Sequence, residues 1–276
     1  MTLECVVNLS EGADGALVEE IAATAGAALL DLHRDSFHNR SVLTLASTST
    51  EELIAATERL AAKAVARLDL RTHSGVHPRL GVVDVVPFAP IGEEDLTEAL
   101  AARRRFAGFA ATTLRLPCFF YGPERSLPEV RRRAFVDLGP DLGPGTANPS
   151  SGACCVGARP PLVAYNVVLK EPDLELAGRI ARSLRSAELR ALAFVTGEEV
   201  QVSCNLISPL STGPAQVYDA VAAQSEVARA ELVGLVPRAV LHAAPEGRWA
   251  ELDLSEASCL ETRLEAVGGP ISRPLS

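Results

Sequence analysis

Two histidines stand four residues apart in the stretch THSGVHPRLGVVDVVPF, which runs from Thr72 to Phe88. On a helix this spacing would place His73 and His77 on one face, where they could bind zinc. However, Gly75 lies between them, and Pro78 disfavours a helical conformation at the residue before it. No third ligand stands close in the sequence, and no Cys-x-x-Cys pair occurs in the chain. We therefore predict no metal site.

Proton transfer is the second chemistry that His77 could perform. A histidine in an irregular turn before a strand is held in place yet open to a ligand, and its pKa suits acid–base work near neutral pH. Arg79 follows two residues later and has the forked geometry that binds a carboxylate through two hydrogen bonds. A purely structural turn histidine is the more frequent outcome, so this pattern alone leaves both alternatives open.

A loop rich in glycine and proline is the third candidate site. Its backbone N–H groups, hydroxyls and amide could contact a flat or anionic ligand, and its glycines would permit close approach. A plain linker between domains explains the same composition equally well. The residues concerned are Gly143, Pro144, Gly145, Thr146, Ala147, Asn148, Pro149, Ser150, Ser151 and Gly152.

Four asparagines form the fourth group: Asn8, Asn39, Asn166 and Asn205. Three of them lie on or at the end of a predicted strand, where asparagine is uncommon. If buried, each needs hydrogen-bond partners. They are either edge and turn positions or parts of a polar seam between two sheets.

The net charge of −9 argues against non-specific nucleic-acid binding, which needs a basic surface. Two arginine triplets, Arg103–Arg105 and Arg131–Arg133, are local exceptions. We expect them to be solvated helix faces, since isolated basic clusters seldom meet a specific anion.

The sequence also indicates a cellular compartment. The six cysteines form no Cys-x-x-Cys pair, so we expect buried, reduced thiols. The N-terminus has no basic and apolar signal-peptide pattern, and no apolar run of about 18 residues predicts a membrane span. We therefore predict a cytoplasmic protein that does not bind a membrane.

In the first half of the chain, short apolar runs alternate with helical patterns in the order β-α-β-β-α-β, followed by one further helix and strand. After the glycine–proline stretch Leu138–Pro161, the order β-α-β-β-α-β repeats. We predict an α+β fold of two ferredoxin-like split-βαβ subdomains, residues 1–160 and 161–276, with a cleft between them. Long connections of this kind are often functional loops.

Several local features refine the element boundaries. Ser49 or Thr50 can cap a long helix, and Gly197-Glu198 predicts a hairpin turn. We also predict a helix from Pro214 to Ala230, followed by a strand from Glu231 to Pro237.

Specific motifs resemble the formimidoyltransferase domain of glutamate formimidoyltransferases, which occurs alone or fused to a cyclodeaminase. The resemblance covers nearly the whole chain, in family order and at similar spacing, and its longest motif is H-P-R-x-G-x-x-D-V-x-P-F. The matching stretches are ECVVNLSEG, LLDLHRDSFHNRSV, HSGVHPRLGVVDVVPF, PDLGP, GACCVGAR, LVAYNVVL, VSCNL and ELVGLVP.

The resemblance implies transfer of a formimino group from N-formimidoyl-L-glutamate to N5 of tetrahydrofolate, in histidine degradation and one-carbon metabolism. It implies that His77 is the catalytic histidine, that the loop Gly143–Gly152 contacts folate in a cleft between two subdomains, and that the protein is a homodimer. We further expect Arg79 and Arg159 to hold substrate carboxylates, and Asn8, Asn39 and Arg40 to lie at the site.

The resemblance fails locally at Asp31–Arg40 and at one position of the first strand. In the turn, His33 replaces the second aspartate of the family pattern, Asp35 replaces a glycine, and Phe37-His38 replace small polar residues. In the first strand, Val7 replaces a proline. A lost carboxylate can change the tautomer of a nearby imidazole or leave substrate charge unpaired. Alternatives are therefore a non-enzymatic folate- or anion-binding paralogue, or a transferase for a related one-carbon substrate.

Overall fold

The computed structural model describes residues 2–75, 78–92 and 95–267. The chain separates into two compact units, with the boundary between Pro160 and Pro161. Each unit is built on its own antiparallel or mixed sheet and has its own hydrophobic core.

The first unit contains a six-stranded sheet with the order β2-β3-β1-β4-β6-β5. The pairs β1–β3, β1–β4 and β2–β3 are antiparallel, whereas β6 runs parallel to both β4 and β5. Its elements are β1 (Leu3–Leu9), α1 (Gly15–Ala22), β2 (Leu29–Asp35), β3 (Arg40–Ser47), α2 (Thr50–Arg67), β4 (Val83–Pro90), α3 (Thr97–Thr112), β5 (Cys118–Tyr121), α4 (Leu127–Arg133) and β6 (Cys154–Ala158).

Alternation along β1 explains the main core of this unit. Every second side chain of the strand, from Leu3 to Leu9, is fully buried in the same cluster as apolar residues of α2 and α3. Helix α2 begins where Ser49 accepts a hydrogen bond from the Glu52 amide at 3.3 Å, which satisfies an N–H group that the helix leaves unpaired. The smaller helix α4 packs against β5 within a separate apolar cluster.

The glycine–proline stretch Leu138–Pro161 is not simply a connection, which corrects the sequence-based interpretation. Its last part forms β6, which lies between β4 and β5 and is buried along its whole length. A run of two cysteines, a valine, a glycine and an alanine is short and apolar, as expected for a strand with sheet neighbours on both sides. The loop before β6 is therefore tied at its C-terminal end to an interior strand of the sheet.

The second unit contains a four-stranded antiparallel sheet with the order β10-β7-β9-β8. The hairpin predicted at Gly197-Glu198 is confirmed, because it joins β8 and β9. The elements are β7 (Val163–Leu169), α5 (Leu174–Leu184), β8 (Leu189–Thr196), β9 (Glu199–Leu206), α6 (Pro214–Ala222), β10 (Val227–Val233), α7 (Arg238–Ala243) and α8 (Leu260–Ala266).

The helix predicted from Pro214 to Ala230 was too long. Helix α6 ends at Ala222, and β10 begins at Val227 and pairs with β7. Alanine-rich sequence favours a helix, but pairing with a sheet edge outweighs that local preference. The strand predicted at Glu231–Pro237 therefore starts four residues earlier and ends at Val233.

The predicted fold class is confirmed. Both units contain the β-α-β-β-α-β order, and the strand orders β2-β3-β1-β4 and β10-β7-β9-β8 are those of a split-βαβ arrangement. The first unit extends its sheet with β6 and β5, and α4 is the helix expected at Arg131–Arg133. Helices α7 and α8 are additions that the sequence patterns did not predict.

The interpretation of both arginine triplets as solvated helix faces was wrong for one member of each. Arg103 is fully buried, and its guanidinium donates to Glu124 Oε2 at 2.7 Å and to the Tyr121 carbonyl oxygen at 3.2 Å. Arg131 is paired with a buried aspartate of β4, Asp84. A pattern of three arginines cannot show which one points inward, because the partner carboxylate comes from a distant part of the chain.

All six cysteines are buried and free, as predicted. No helix among the described residues is both long enough and apolar enough to cross a membrane.

Candidate functional site

The turn between β2 and β3 packs against the segment that precedes His77. A Cβ atom added to Gly75 would lie 2.5 Å from the His38 carbonyl oxygen and 2.6 Å from Nη2 of Arg79. Both distances are far below normal carbon contacts, so only glycine allows this close approach. The turn and the His73–Gly75 segment are thus held against each other.

Asn39 connects three segments at this point. Its Oδ1 accepts hydrogen bonds from the amides of Gly12 at 2.8 Å and Ala13 at 3.1 Å. Its Nδ2 donates to the Ser74 carbonyl oxygen at 2.8 Å and lies 3.1 Å from Nδ1 of His73. Asn39 adopts a φ of 47°, a left-handed conformation that asparagine tolerates better than most residues. The residue is therefore a structural junction of the site.

His73 is partly buried beside this junction. Burial, together with the positive charge of Arg79, lowers the pKa of His73, while the carboxylate of Glu11 opposes the shift. Among the described residues, none accepts or donates a hydrogen bond at the buried Nε2 atom of His73. The imidazole is thus favoured in its neutral form at neutral pH.

Arg79 reaches back over the turn between β2 and β3. Its Nη2 donates to the His38 carbonyl oxygen at 3.3 Å, and its Nη1 donates to the Asn39 carbonyl oxygen at 3.5 Å. Burial lowers the pKa of Arg79, but an arginine in this setting stays cationic at neutral pH. These bonds orient the guanidinium.

Asp84 lies at the start of β4 and is almost completely buried, with 1% of its side chain exposed. Its Oδ2 accepts from Arg131 at 2.6 Å and from Arg40 at 3.2 Å, and its Oδ1 accepts from the Leu80 amide at 2.8 Å. Although burial alone would raise the pKa of Asp84, the charges of Arg131 and Arg40 lower it. The carboxylate is therefore ionised at neutral pH.

Arg40 links Asp84 to the first strand. Its Nε donates to Oδ1 of Asn8 at 3.1 Å, and its Nη2 contacts the same oxygen. Burial lowers the pKa of Arg40 to about 10, which leaves it cationic at neutral pH. We call Arg40, Arg79, Arg131 and Asp84 the arginine–aspartate cluster. Its three guanidinium groups lie around one buried carboxylate.

Asp35 and His38 stabilise the turn that carries Asn39. The Asp35 carboxylate accepts from the amides of Phe37 and His38 at 2.8 Å each and contacts Nδ1 of the His38 ring. Burial raises the pKa of Asp35, but the hydrogen bonds from His38 outweigh it and the pKa is lowered. Asp35 is thus engaged within its own turn.

The loop Gly143–Gly152 is joined at its C-terminal end to the chain on both sides of His77. The Leu70 amide donates to the Ser150 carbonyl oxygen at 2.6 Å, and the Val82 amide donates to the Ser151 carbonyl oxygen at 3.0 Å. A Cβ atom on Gly152, which has a φ of 71°, would lie 2.1 Å from the Leu80 carbonyl oxygen. Strand pairing therefore holds this end of the loop beside Arg79 and Leu80.

Within the loop, Asn148 folds the chain back on itself. Its backbone exchanges hydrogen bonds with Gly152 at 2.9 and 2.8 Å, and its Oδ1 accepts from the amides of Ser150 and Ser151 at 3.1 Å each. The Ser151 side chain is buried, whereas Gly145, Thr146 and Ala147 are exposed.

A groove of about 470 Å³ adjoins the exposed part of this loop. Residues 135–139, which follow α4, form one wall, and residues 145–147 form the other. The Phe135 ring packs edge-on against Phe119, which gives this wall an aromatic surface. Three of the predicted folate-contacting residues therefore line an open groove in the first unit.

Among the predicted site residues that the structure describes, Arg159 lies away from the cluster. Its amide donates to the Phe88 carbonyl oxygen at 3.1 Å, near the C-terminal end of β4. Asp84 is near the other end of the same strand, so Phe88 and Asp84 are separated by roughly 13 Å along β4, at about 3.3 Å per residue. A role for Arg159 with substrate stays a prediction.

His77 lies outside the described residues, together with Val76. On the described side that follows, the Pro78 carbonyl oxygen accepts from Nη1 of Arg131 at 2.9 Å. Among the described residues, no three His, Cys, Asp or Glu side chains come together in a way that could hold a metal ion.

Sequence reasoning missed Asp84 and Arg131. The signal for Asp84 was present, because this aspartate stands inside the apolar run GVVDVVPF. A buried aspartate almost always has a cationic partner. Nothing in the sequence identified the partner, since a run of three arginines does not show which one turns toward the core.

Comparison with known proteins agrees with this architecture. The model of the N-terminal subdomain of the formiminotransferase domain matches residues 2–159. A glutamate formimidoyltransferase of Streptococcus pyogenes serotype M1 is 31% identical over 270 residues, covering 87% of this chain and 90% of that protein. One of Thermoplasma acidophilum is 32% identical over 274 residues, covering 87% and 89%.

A formimidoyltransferase-cyclodeaminase of Gallus gallus is 32% identical over 280 residues, which cover 88% of this chain and 51% of that longer protein. The similarity to relatives of both kinds extends through both units. The chain belongs to the formiminotransferase family of group-transferring enzymes.

Proposed function

We propose that the protein transfers a formimino group from N-formimidoyl-L-glutamate to N5 of tetrahydrofolate, a step of histidine degradation that feeds one-carbon metabolism. Family membership supports the reaction type. The observation that carries the proposal is the arginine–aspartate cluster, which gathers three guanidinium groups at the H-P-R segment.

Both substrates suit a cationic site. Formimidoyl-glutamate carries two carboxylates, and the glutamyl tail of folate carries two more. Guanidinium groups bind carboxylates through paired hydrogen bonds, and such charge-assisted bonds are about twice as strong as neutral ones. Asp84 fixes Arg40 and Arg131, so little side-chain freedom is lost when an anion binds near them.

The groove beside the loop Gly143–Gly152 suits the flat ring system of tetrahydrofolate. Its walls combine exposed backbone of Gly145–Ala147 with the aromatic and apolar surface of Phe135 and Val136. A pocket for a small molecule typically pairs apolar walls with a few polar groups, and this groove has that composition. Folate thus serves as the acceptor substrate, and no metal is needed.

In the proposed reaction, the lone pair of folate N5 attacks the amidine-like carbon of the formimino group. The new C–N5 bond gives a tetrahedral intermediate, and N5 loses its proton to His77. The bond from that carbon to the glutamate nitrogen then breaks, and the nitrogen receives a proton from His77. The products are 5-formimino-tetrahydrofolate and glutamate.

A proton-transferring side chain of this kind typically contributes about 10²–10⁴-fold to a rate. Holding two substrates in the reactive orientation supplies a further large factor. We propose that Arg79 holds a carboxylate while the reaction proceeds. The orientation of its guanidinium by two backbone carbonyls of the β2–β3 turn supports this role.

The alternative functions are a non-enzymatic folate- or anion-binding protein and a transferase for a related one-carbon substrate. The altered turn favours them, because Asp35 is engaged with His38 and with backbone amides of its own turn. The intact arginine–aspartate cluster is compatible with every one of these functions.

Turnover separates these functions. Incubation with N-formimidoyl-L-glutamate and tetrahydrofolate should yield 5-formimino-tetrahydrofolate, and His77→Ala should lower kcat by about 10²–10⁴-fold. His242→Ala is the matched control, since His242 is an exposed histidine of the second unit that stacks on Trp249. Binding of tetrahydrofolate without turnover at saturating donor would support the binding protein instead.

We also propose that the protein is a homodimer in the reducing cytoplasm. Strand β8 lies at an edge of the second sheet and exposes Leu192 and Val195. Exposed apolar edge strands are prone to association, and a symmetric dimer would cover this edge. Light scattering should give twice the chain mass of 29.1 kDa. We expect no nucleic-acid or membrane partner.

A further inference from the structure

The orientation of the Asn39 side-chain amide is fixed by its partners. Two backbone amides, those of Gly12 and Ala13, point at one end, which must therefore be the oxygen. The carbonyl oxygen of Ser74 faces the other end, which must be the nitrogen. A flipped amide would place donors against donors and an acceptor against an acceptor.

This orientation determines where the proton of His73 resides. The second hydrogen of Asn39 Nδ2 is directed at His73 Nδ1, 3.1 Å away, so Nδ1 must accept. An imidazole that accepts at Nδ1 carries its proton on Nε2 when it is neutral. Burial and the charge of Arg79 also oppose protonation of the ring.

The Nε2–H group of His73 is therefore a fixed donor. The atom is buried, and no acceptor for it exists among residues 2–75, 78–92 and 95–267. Buried donors without an acceptor are rare in folded proteins, because leaving them unpaired is costly. The nearby guanidinium of Arg79 favours an anionic acceptor at this position, and the carboxylate of Glu11 opposes it more weakly.

We propose that His73 is a substrate-binding residue which, held as the Nε2–H tautomer by Asn39, donates a hydrogen bond to a carboxylate of formimidoyl-glutamate beside Arg79. The proposal rests on the proposed function for the identity of the ligand. In this role the imidazole of His73 stays neutral and donates the same hydrogen bond throughout the reaction cycle, so His73 takes no part in proton transfer.

The tautomer can be tested without any substrate. In protein labelled with ¹⁵N-histidine, NMR correlation spectra should show His73 protonated at Nε2 only between pH 6.5 and 8. Asn39→Asp replaces the donor at Nδ1 with an acceptor, so His73 should then carry a proton on Nδ1. A proton on Nδ1 in the wild-type protein at pH 7 would overturn the proposal.

Substitutions that imitate one ring nitrogen at a time test the binding role. Glutamine places an N–H group near the position of Nε2, whereas asparagine places one near Nδ1. His73→Gln should keep the KM for formimidoyl-glutamate within about threefold, whereas His73→Asn should raise it about 10- to 100-fold, as expected for loss of a hydrogen bond to a charged group. In both variants kcat should change by less than threefold.

Addition of formimidoyl-glutamate to labelled protein separates the possible failures. Movement of the His73 Nε2–H resonance without turnover would leave this inference standing and reject the transferase. Turnover without movement of that resonance would do the reverse. The movement of the His73 Nε2–H resonance should persist in His77→Ala. If it were lost in that variant, His77 would mediate the contact between His73 and the substrate, which would overturn direct binding by His73.

Discussion

Arg131 and Asp84 are 47 positions apart in the chain, yet Nη2 of Arg131 donates to Oδ2 of Asp84 at 2.6 Å. The pair joins α4 to the first residues of β4, and Arg40, the first residue of β3, binds the same carboxylate oxygen. One buried carboxylate thus fixes two cations contributed by different segments. The site depends on this contact, because Arg131 also holds the Pro78 carbonyl oxygen next to the H-P-R motif.

Replacing Asp84 with asparagine should strongly destabilise the first unit. The change would leave Arg40 and Arg131 largely buried without their counter-charge, which typically costs about 3–5 kcal/mol in the free energy of unfolding. Urea denaturation at pH 7 measures this difference.

The same contact makes stability depend on pH in a defined direction. The pKa of Asp84 is lowered in the folded state, so its stabilising contribution is complete above the ordinary aspartate pKa of about 3.9 and is lost as the pH falls through the lower folded value. The stability difference between wild type and Asp84→Asn should therefore be constant from pH 5 to 7 and shrink below pH 4. A difference that grew on acidification would contradict this assignment.

Two buried arginines provide a matched comparison between stability and substrate binding. Arg131→Lys should raise the KM for formimidoyl-glutamate about tenfold, because lysine cannot bridge Asp84 and the Pro78 carbonyl oxygen with the same fork. Arg103→Lys removes an equally specific pairing, with Glu124 and the Tyr121 carbonyl oxygen, which involves no member of the cluster. It should lower the melting temperature while the KM stays within twofold. Equal effects of both variants on KM would mean that Arg131 acts only through stability.

Gly75→Ala should damage the site more than the fold. The new Cβ would meet the His38 carbonyl oxygen and the Arg79 guanidinium at 2.5 and 2.6 Å, so Arg79 and the turn must move apart. We expect a tenfold or larger loss of kcat/KM in the transferase assay. Gly108→Ala is the control, since a Cβ there meets nothing within 4 Å and alanine favours a helix by about 0.5–1 kcal/mol. If Gly75→Ala retained full activity, the packing of the turn would be irrelevant to function.

Asp35→Asn should loosen the turn between β2 and β3. The carboxylate accepts two backbone amides as well as the His38 ring, and its pKa is lowered despite burial, so the ionised form is the stabilising one. Because asparagine keeps one acceptor oxygen, we expect a loss of about 1 kcal/mol in unfolding free energy at pH 7, in keeping with the net value of a hydrogen bond. Calorimetry of the two proteins measures it, and an unchanged melting temperature would contradict the role of Asp35.

The sequence was sufficient for the fold class because both repeated units show clear strand and helix periodicities. It failed at β6, whose short apolar run lies within a glycine–proline stretch, and at β10, where pairing with β7 overrides the helical preference of an alanine-rich segment. Local patterns cannot reveal pairing partners that are distant in the chain.

The candidate site was predictable only in part. Sequence reasoning named Arg79, Asn8, Asn39 and Arg40, and the structure brings these four to one region. It could not show that Asp84 and Arg131 complete the cluster, or that Asn39 determines the tautomer of His73. Those facts depend on side-chain orientation, which sequence spacing does not encode.

The most direct test of the account is to follow the transferred carbon itself. Formimidoyl-glutamate labelled with ¹³C in the formimino group should deliver the label to N5 of tetrahydrofolate, with one glutamate released per transfer. Wild type and His242→Ala should transfer the label at the same rate, and His77→Ala should transfer it at least 100-fold more slowly. Label that stays in the donor while tetrahydrofolate is bound, or transfer at an unchanged rate in His77→Ala, would contradict it.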